Sequence, residues 1–268
     1  MATTSASAAA APGATPAPLP IVKRQLVVFD FDWSLADQDT DRWVHECLAP
    51  ELRRKQKALK GTMDGMDLFA GLLVDLHAKG VTPEQIKDSM RKMPFHPAMK
   101  RGVKDLKSDK QTETVFFLLS NSNTVYIDTI LDHQGLQAPH FEVFSEIVTN
   151  PAEFEPSGLL RLRRRLDPNG PQHKCTVGCG PNMCKGEELD AFLSRHGGRD
   201  SFERIVYVGD GGNDYCPVTR LGEKDYAFVR RFRGLEKRIA TEGNVTASIW
   251  YWAGAWEVEG LLGHLRGV

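Results

Sequence analysis

Asp30 and Asp32 mark an abrupt change of character in the chain. Val27-Val28-Phe29 is apolar, and Asp30-Phe31-Asp32-Trp33-Ser34 then brings in two carboxylates and a hydroxyl. Such a pattern predicts a buried strand whose carboxyl end delivers Asp30 and Asp32 into a crevice. Alternate residues of an extended chain share a face, so the two carboxylates are expected to converge. Like charges held that close repel, and each invites a proton or a cation. Aspartate at a strand end also forms turns, but D-x-D-x-S behind a wholly apolar strand favours the cation site.

Two later segments repeat the pattern. Thr114-Val115-Phe116-Phe117-Leu118-Leu119 runs into Ser120, Asn121, Ser122 and Asn123, and Ile205-Val206-Tyr207-Val208 runs into Gly209-Asp210-Gly211-Gly212-Asn213-Asp214. Lys185 stands at the start of a predicted helix. Asp30, Asp32, Asp210 and Asp214 offer hard oxygen donors with no histidine or thiolate among them, which suits Mg2+. The Ser120 hydroxyl and the Lys185 ammonium would hold the remaining oxygens of a phosphoryl group. The expected reaction is phosphoryl transfer through an aspartyl-phosphate, with a carboxylate as nucleophile. The glycines from Gly209 to Gly212 let backbone approach a metal closely.

Strands that alternate with helices and end in polar residues predict an α/β fold, a parallel sheet covered by helices on both faces. Between the first two strands, about 60 residues read as helical. Met66, Phe69, Leu73 and Leu76 form one stripe of a helix. Thr82-Pro83-Glu84-Gln85 is a helix start with a capping threonine and proline at the first helical position. The expected organisation is a disordered tail over 1–22, a catalytic core from 23–36 and 98–268, and a helical cap inserted over 37–97. Residues 1–20 carry no charged side chain and are rich in Ala, Pro, Thr and Ser, too little to bury against the entropy of ordering. They lack the basic and apolar regions of a secretory signal. A cytoplasmic setting is expected, with a plastid address as the lesser alternative.

With 34 basic and 35 acidic residues the formal charge is −1, which gives no electrostatic attraction to nucleic acid or to an anionic membrane. No apolar run is long enough to span a bilayer. Five cysteines, three of them between Cys175 and Cys184, suggest reduced usage rather than a disulfide framework.

D-x-D-x-S at Asp30–Ser34, the apolar strand ending in Ser120, Lys185, and G-D-G-x-N-D at Gly209–Asp214, in this order, resemble the four motifs of the haloacid dehalogenase superfamily. The likeness runs from about Gln25 to Asp225 and implies a Rossmannoid parallel sheet with a small cap. Asp32, where the ATPases of the superfamily have threonine, resembles the phosphatases. Asp37-Gln38-Asp39-Thr40-Asp41, Thr149-Asn150-Pro151, Pro181-Asn182-Met183-Cys184-Lys185-Gly186 and Gly209–Pro217 are similar to the phosphoethanolamine/phosphocholine phosphatase family. That family includes plant enzymes described as thiamine-phosphate-phosphatase-like or as pyrophosphatases. The resemblance implies Asp30 as nucleophile and Asp32 as general acid/base. It puts Mg2+ on the Asp30 side chain, the Asp32 carbonyl and Asp210, with Asp214 in support. It gives Ser120 and Lys185 to the phosphoryl group and Asp41 to the substrate. The partner it implies is a small phosphorylated metabolite, with no nucleic acid and no membrane. Asn121 departs from the aspartate usual there, which removes a charge from the substrate side, and Trp33 is bulky for its position.

Other groups have plainer roles beside functional ones. His173, Cys175, Cys179 and Cys184 offer four soft ligands in twelve residues, but without a C-x-x-C pair. They are expected to shape a loop as free thiols, with zinc as the alternative, and Cys216 is expected to pack. Trp43 reads as core rather than lid, Asp39 as turn-forming, His96 as structural, and Arg161, Arg163, Arg164 and Arg165 as a solvated face. Two functions outside catalysis fit the same segments less well: an inactive binder of a phosphorylated ligand, and a zinc-held interaction module.

Overall fold

The computed structural model describes residues 17–268. Six parallel strands build its sheet: β1 (Arg24–Phe29), β2 (Glu113–Asn123), β3 (Phe144–Asn150), β6 (Arg204–Gly209), β7 (Tyr226–Arg230) and β8 (Ser248–Trp252). Their spatial order is β3-β2-β1-β6-β7-β8. The chain lays β2 and β3 to one side of β1 and then crosses back to build the other side. The carboxyl ends of β2, β1 and β6 therefore stand side by side where the order reverses, the place where open α/β sheets gather their ligands.

Residues alternate along β1 into two cores. Val27 and Phe29 pack with Phe116, Leu118, Val206 and Val208 on one face; Leu26 and Val28 pack with Phe117, Leu119, Ile205 and Tyr207 on the other. Both faces are apolar, as they must be when helices cover both. The first is covered by α5 (Pro97–Ser108), α6 (Thr124–Gln134) and α10 (Ala255–His264), the second by α7 (Lys185–Arg195), α8 (Tyr215–Val218) and α9 (Gly234–Glu242). Gly102 lets α5 close on α10: a Cβ there would sit 3.0 Å from the Glu259 Cα.

Between β1 and β2 lie α1 (Thr40–Leu48), α2 (Pro50–Leu59), α3 (Gly65–Ala78) and α4 (Pro83–Arg91). The Thr82 capping box is present, with the Thr82 hydroxyl accepting from Gln85 N and the Gln85 side chain accepting from Thr82 N. The buried face of α3 is turned from the one expected. Leu68, Leu72, Leu73 and Leu76 are inside, while Met66 and Phe69 lie half-exposed. The i, i+4, i+8 row of leucines fills the interior better than a row led by Met66 and Phe69 at the helix start. Apolar contacts run unbroken from the sheet through Leu35 and Val44 into α3 and α4, so these helices share the main core. Trp43 donates from Nε1 to the Ser89 carbonyl at 2.8 Å, tying α1 to α4 in the core-side role expected of it. His96 caps α5 through Nδ1, 3.2 Å from Ala98 N.

The section after β3 contains a short hairpin, β4 (Ala152–Phe154) with β5 (Leu160–Leu162). The arginines that follow are drawn into ion pairs. Arg164 reaches Asp64 and Asp67 at the start of α3 at 2.7 and 2.8 Å, and Arg165 reaches Glu188 at 3.1 Å. Most of the tail expected over 1–22 lies outside the described residues. The part from 17 onward follows the core, with Leu19 N donating to the His264 carbonyl at 2.9 Å and Arg204 Nη1 donating to the Pro20 carbonyl at 3.1 Å.

His45 is buried in α1, its Nδ1 2.8 Å from the Asp41 carbonyl. Burial lowers its pKa below the ordinary 6.5, because the folded state disfavours the charged ring. The unfolded chain therefore binds the proton more tightly. This contribution to stability is full above the ordinary value and is lost as pH falls through it toward the folded pKa. Between pH 7.5 and 5.5 wild type is expected to lose more stability than His45→Asn, which keeps a donor near the Nδ1 position and cannot charge. Thermal melts of both proteins across that range check it; parallel curves would remove His45 as the cause.

Candidate active site

The strand predicted to carry both aspartates stops at Phe29, one residue before the first of them. The chain then winds through a wide turn, with Leu35 N donating to the Asp30 carbonyl at 3.2 Å and Ala36 N to the Phe31 carbonyl at 3.0 Å. Inside the turn Trp33 has φ of 58°, a left-handed conformation that bulky side chains rarely take. Arg230 helps to hold it there, donating from Nη1 to the Trp33 carbonyl at 2.7 Å and from Nη2 to Asp37 at 2.6 Å. The guanidinium of Arg233 lies 3.8 Å from the centroid of the Trp33 ring. This corrects the expectation that Asp30 and Asp32 share a strand face. The turn sends Asp30 toward Lys185 and Asp32 toward α1.

Lys185 is 1% exposed and binds two carboxylates, Asp30 Oδ1 and Asp214 Oδ1, each at 2.8 Å. Burial alone would push its pKa down; Asp214 and Asp30 outweigh burial and hold it above its ordinary value. Asp214 is saturated with donors. Its Oδ1 also accepts from the Tyr207 hydroxyl at 2.7 Å, and its Oδ2 accepts from Asp210 N at 3.1 Å and Gly211 N at 2.8 Å. Gly209 makes room for it, since a Cβ there would lie 2.7 Å from Asp214 Oδ2. Asp30 is less encumbered. Its Oδ1 accepts from Phe31 N at 2.7 Å as well as from Lys185, and its Oδ2 has no hydrogen-bond partner among the described residues.

Oxygens of Asp30, Asp210 and Asp214 all lie within 4.8 Å of one another. Three carboxylates against one ammonium leave two negative charges in a buried space. Burial, then the charge of Asp214, pushes the Asp210 carboxyl up to about 7, against the pull of Lys185 and Arg233. Burial and Asp214 likewise raise Asp30 well above the usual carboxylate range in spite of Lys185. Fully ionised beside Lys185, the trio would leave a charge that one divalent cation balances, on hard oxygen donors. Because Asp214 is already bonded on both oxygens, Asp30 and Asp210 have the free lone pairs.

The Asp32 carboxylate stands apart from that trio. Its Oδ1 accepts from Thr40 N at 2.9 Å and its Oδ2 from the Thr40 hydroxyl at 3.1 Å, and Thr40 Oγ1 lies 2.8 Å from Ser122 Oγ. Burial first, then the charges of Asp39 and Asp41, raise its pKa well above the usual range, so it can hold a proton that other carboxylates would have shed. Asp39 caps α1, accepting from Arg42 N at 3.0 Å, the turn-forming role expected of it. Asp41 is half-buried, and its carboxylate has no hydrogen bond or ion pair among the described residues; burial and Asp39 raise its pKa as well.

Ser120 is buried near the end of β2, its oxygen accepting from Ser122 N at 3.1 Å, which leaves its proton free to donate elsewhere. Asn121 is exposed and accepts from Asn213 Nδ2 at 2.9 Å, linking the ends of β2 and β6. Behind them, Asn150 Nδ2 donates to the Asn121 and Ser122 carbonyls at 2.7 and 3.0 Å, and Asn182 Nδ2 donates to Asn150 Oδ1 at 2.8 Å. These amides fasten the loop before Lys185 to the strand end that carries Ser120.

A family model described as Putative Phosphatase matches residues 25–265. The chain belongs to this family. It is a phosphatase of the haloacid dehalogenase type, a phosphoric monoester hydrolase. The match passes Asp225, where the sequence likeness had been expected to end, and takes in β7 and β8. Inorganic pyrophosphatase 2 of Arabidopsis thaliana is 35% identical over 209 residues, covering 77% of this chain and 70% of that protein. The pyridoxal phosphate phosphatase PHOSPHO2 of Rattus norvegicus is 31% identical over 248 residues, 90% of this chain and 97% of that one. Among solved structures, an apo phosphoserine phosphatase shares the fold at 17% identity, with TM-score 0.53 over 81% of this chain and 98% of its own.

Within this phosphatase, Thr40, Ser122, Tyr207, Arg230 and Arg233 reach the site without having been singled out from sequence. The apolar run Ala227-Phe228-Val229 passing into Arg230-Arg231-Phe232-Arg233 was the legible signal for the two arginines. For Thr40 and Tyr207 there was none, since a hydroxyl beside a predicted acid acquires a partner only when the chain folds.

Asp214 and Asp210 are expected to behave oppositely when replaced. Asp214→Ala strips a buried lysine of a partner and should cost about 3–5 kcal/mol. Asp210→Asn removes a charge that its neighbours repel. Its carboxyl pKa is raised in the fold, so wild type loses stability as pH rises from the usual carboxylate range to about 7. Above that, in chelator, the variant should be the more stable, and added Mg2+ should stabilise wild type alone. Urea titrations at pH 8 with and without Mg2+ check both; a less stable Asp210→Asn in chelator would refute the charge argument.

Proposed function

We propose that this phosphatase hydrolyses a small phosphate ester through an aspartyl-phosphate on Asp30, with Mg2+ as cofactor. The observation that carries the reading is the division of labour among the buried acids. Asp30 keeps one oxygen free beside Lys185, and Asp32, turned away from Lys185, has a raised pKa. Asp30 Oδ2 attacks phosphorus while Lys185 and the Ser120 hydroxyl bind the other phosphoryl oxygens. Asp32, protonated at the start, gives its proton to the departing alcohol. It then takes a proton from the water that hydrolyses the aspartyl-phosphate. Asp30, Asp210 and the Asp32 carbonyl would hold Mg2+, supported by Asp214, and the ion would neutralise charge on the transferring group. The helices α1–α4 serve as the cap, within the boundaries 37–97, and shield the intermediate from bulk water.

The substrate proposed first is a phosphorylated amine such as phosphoethanolamine or phosphocholine. Asp41, with no cationic partner, supports it, because a substrate ammonium would supply the missing charge. A second reading has its own support. Arg233 makes no ion pair among the described residues and lies over Trp33 near Asp210, a cation suited to a second anionic group. That favours pyrophosphate, the substrate named for the Arabidopsis relative; thiamine monophosphate and pyridoxal phosphate, the latter named for the rat relative, keep a single phosphate and test ring-bearing leaving groups.

Asp30→Asn is expected to fold and to lose turnover, and Asp32→Asn to lose about 10²–10⁴-fold. Phosphate release from these substrates, measured for wild type, Asp41→Asn and Arg233→Met, separates the readings. Amine-ester preference predicts a raised KM in Asp41→Asn alone, and pyrophosphate preference a raised KM in Arg233→Met alone. Full activity of Asp30→Asn would sink the mechanism.

A further inference from the structure

Four of the five cysteines meet at one point. The sulfurs of Cys175, Cys179, Cys184 and Cys216 all lie within 4.8 Å of one another, and none forms a disulfide. Cys216 Sγ is 3.5 Å from Cys175 Sγ and 3.5 Å from Cys184 Sγ. Four thiolates on one tetrahedral zinc at about 2.3 Å stand roughly 3.8 Å apart, so the cluster has the spread of a single-ion site. A disulfide would need one pair at about 2 Å.

We propose that Cys175, Cys179, Cys184 and Cys216 form a structural zinc site, separate from the carboxylate centre. The set differs in two residues from the zinc alternative read in the sequence. Cys216, buried as expected, also supplies the fourth sulfur, while His173, its Nε2 2.6 Å from the Gly180 carbonyl, groups with Cys184 and Glu187 and not with all four sulfurs. The nearest cysteine in sequence to Cys216 is 32 residues away, which is why spacing alone could not assemble the set.

The surroundings support a bound ion as well as close sulfurs. Backbone amides point at two of them, Val177 N at 3.3 Å from Cys175 Sγ and Glu187 N at 3.4 Å from Cys184 Sγ. Arg220 Nη2 lies 3.8 Å from Cys216 Sγ. Donors of this kind orient ligating thiolates and spread the charge left when four of them bind one dication. Two glycines provide the room. Gly178, at φ of 88°, turns the chain so that Cys175 and Cys179 face the same point. Gly186 lets α8 approach the start of α7, since a Cβ there would lie 2.6 Å from Cys216 Sγ. The half-buried Cys175 and Cys179 leave a path for the ion to enter.

Binding is ligand exchange without redox chemistry. Four S–H bonds give up their protons to solvent and four Zn–S bonds form. The ion cross-links a surface loop, the first turn of α7 and α8. Cys184 adjoins Lys185, and Cys216 follows Asp214 by two residues. The staple therefore closes the back of the two segments that carry the Lys185–Asp214 pair.

The test uses the full chain, purified with reductant and away from chelating resin. Elemental analysis is expected to give one zinc per chain, retained through gel filtration in Mg2+ buffer, and a mercurial reagent should release it as the thiolates are capped. Chain produced with cobalt should display the absorption of a tetrahedral tetrathiolate Co2+, a readout that needs no variant. Outer partners of a metal ligand are worth about 10–100-fold in affinity, so Cys216→Ser and Cys179→Ser should weaken zinc at least that much. Cys47→Ser, remote from the cluster, should keep it. No zinc with all five cysteines reacting as free thiols overturns the proposal. So does a disulfide found by mass, iron in place of zinc, or zinc undiminished in both cluster variants.

Discussion

A lysine ammonium with almost no solvent contact is the constraint around which the site is arranged. Taking Lys185 out of water costs several kcal/mol unless opposite charge and hydrogen bonds replace the lost hydration. Asp30 and Asp214 supply them from two different strand ends, each at 2.8 Å. Meeting this need forces β1, β6 and the start of α7 to converge on one point. The rest of the geometry follows from that convergence: Gly209 must be bare so that Asp214 can turn under the strand end, and Tyr207 must lend its hydroxyl to the same carboxylate.

The arrangement divides the acids by how many donors each has. Asp214 accepts from Lys185, Tyr207 and two amides and has no lone pair left to offer a substrate. Asp30 is half-engaged and Asp210 has no donor on its side chain among the described residues. Burial and the charge of Asp214 push the Asp210 carboxyl up to about 7. A buried carboxylate without a hydrogen-bond donor of its own favours a proton or a bound cation. Asp32 is handled differently. Its two hydrogen bonds come from Thr40, which opens α1, so the start of that helix positions the Asp32 carboxylate.

Most of the fold was legible because its strands are apolar on both faces and end in polar residues. Asp30, Ser120 and Asp210 were placed at strand carboxyl ends on that basis, and Lys185 at a helix start. The relation between Asp30 and Asp32 was not legible. It depends on Trp33 taking a left-handed conformation, held by Arg230 from a strand nearly two hundred residues later. The buried face of α3 was missed because a helical stripe read from spacing does not say which of two adjacent leucine-rich rows the neighbours will accept. The amide chain Asn182–Asn150–Asn121 was present as three recognisable fragments whose mutual bonds exist only in the folded chain.

Hardness separates the carboxylate trio from the four-sulfur cluster over a few residues of sequence. Cys184 and Lys185 are consecutive, and Asp214 and Cys216 are two apart, yet the carboxylates gather at the sheet's edge and the thiols behind the first turn of α7. Adjacent residues at a helix start point in different directions, so one backbone can serve an oxygen-lined pocket and a sulfur-lined one at once. Magnesium shuns thiolate and zinc prefers it, so each proposed ion would keep to its own side without a barrier between them. The sulfur cluster then has a mechanical reason for its position. It grips the two segments that must bring Lys185 against Asp214, at the point where the cost of burying that lysine is greatest.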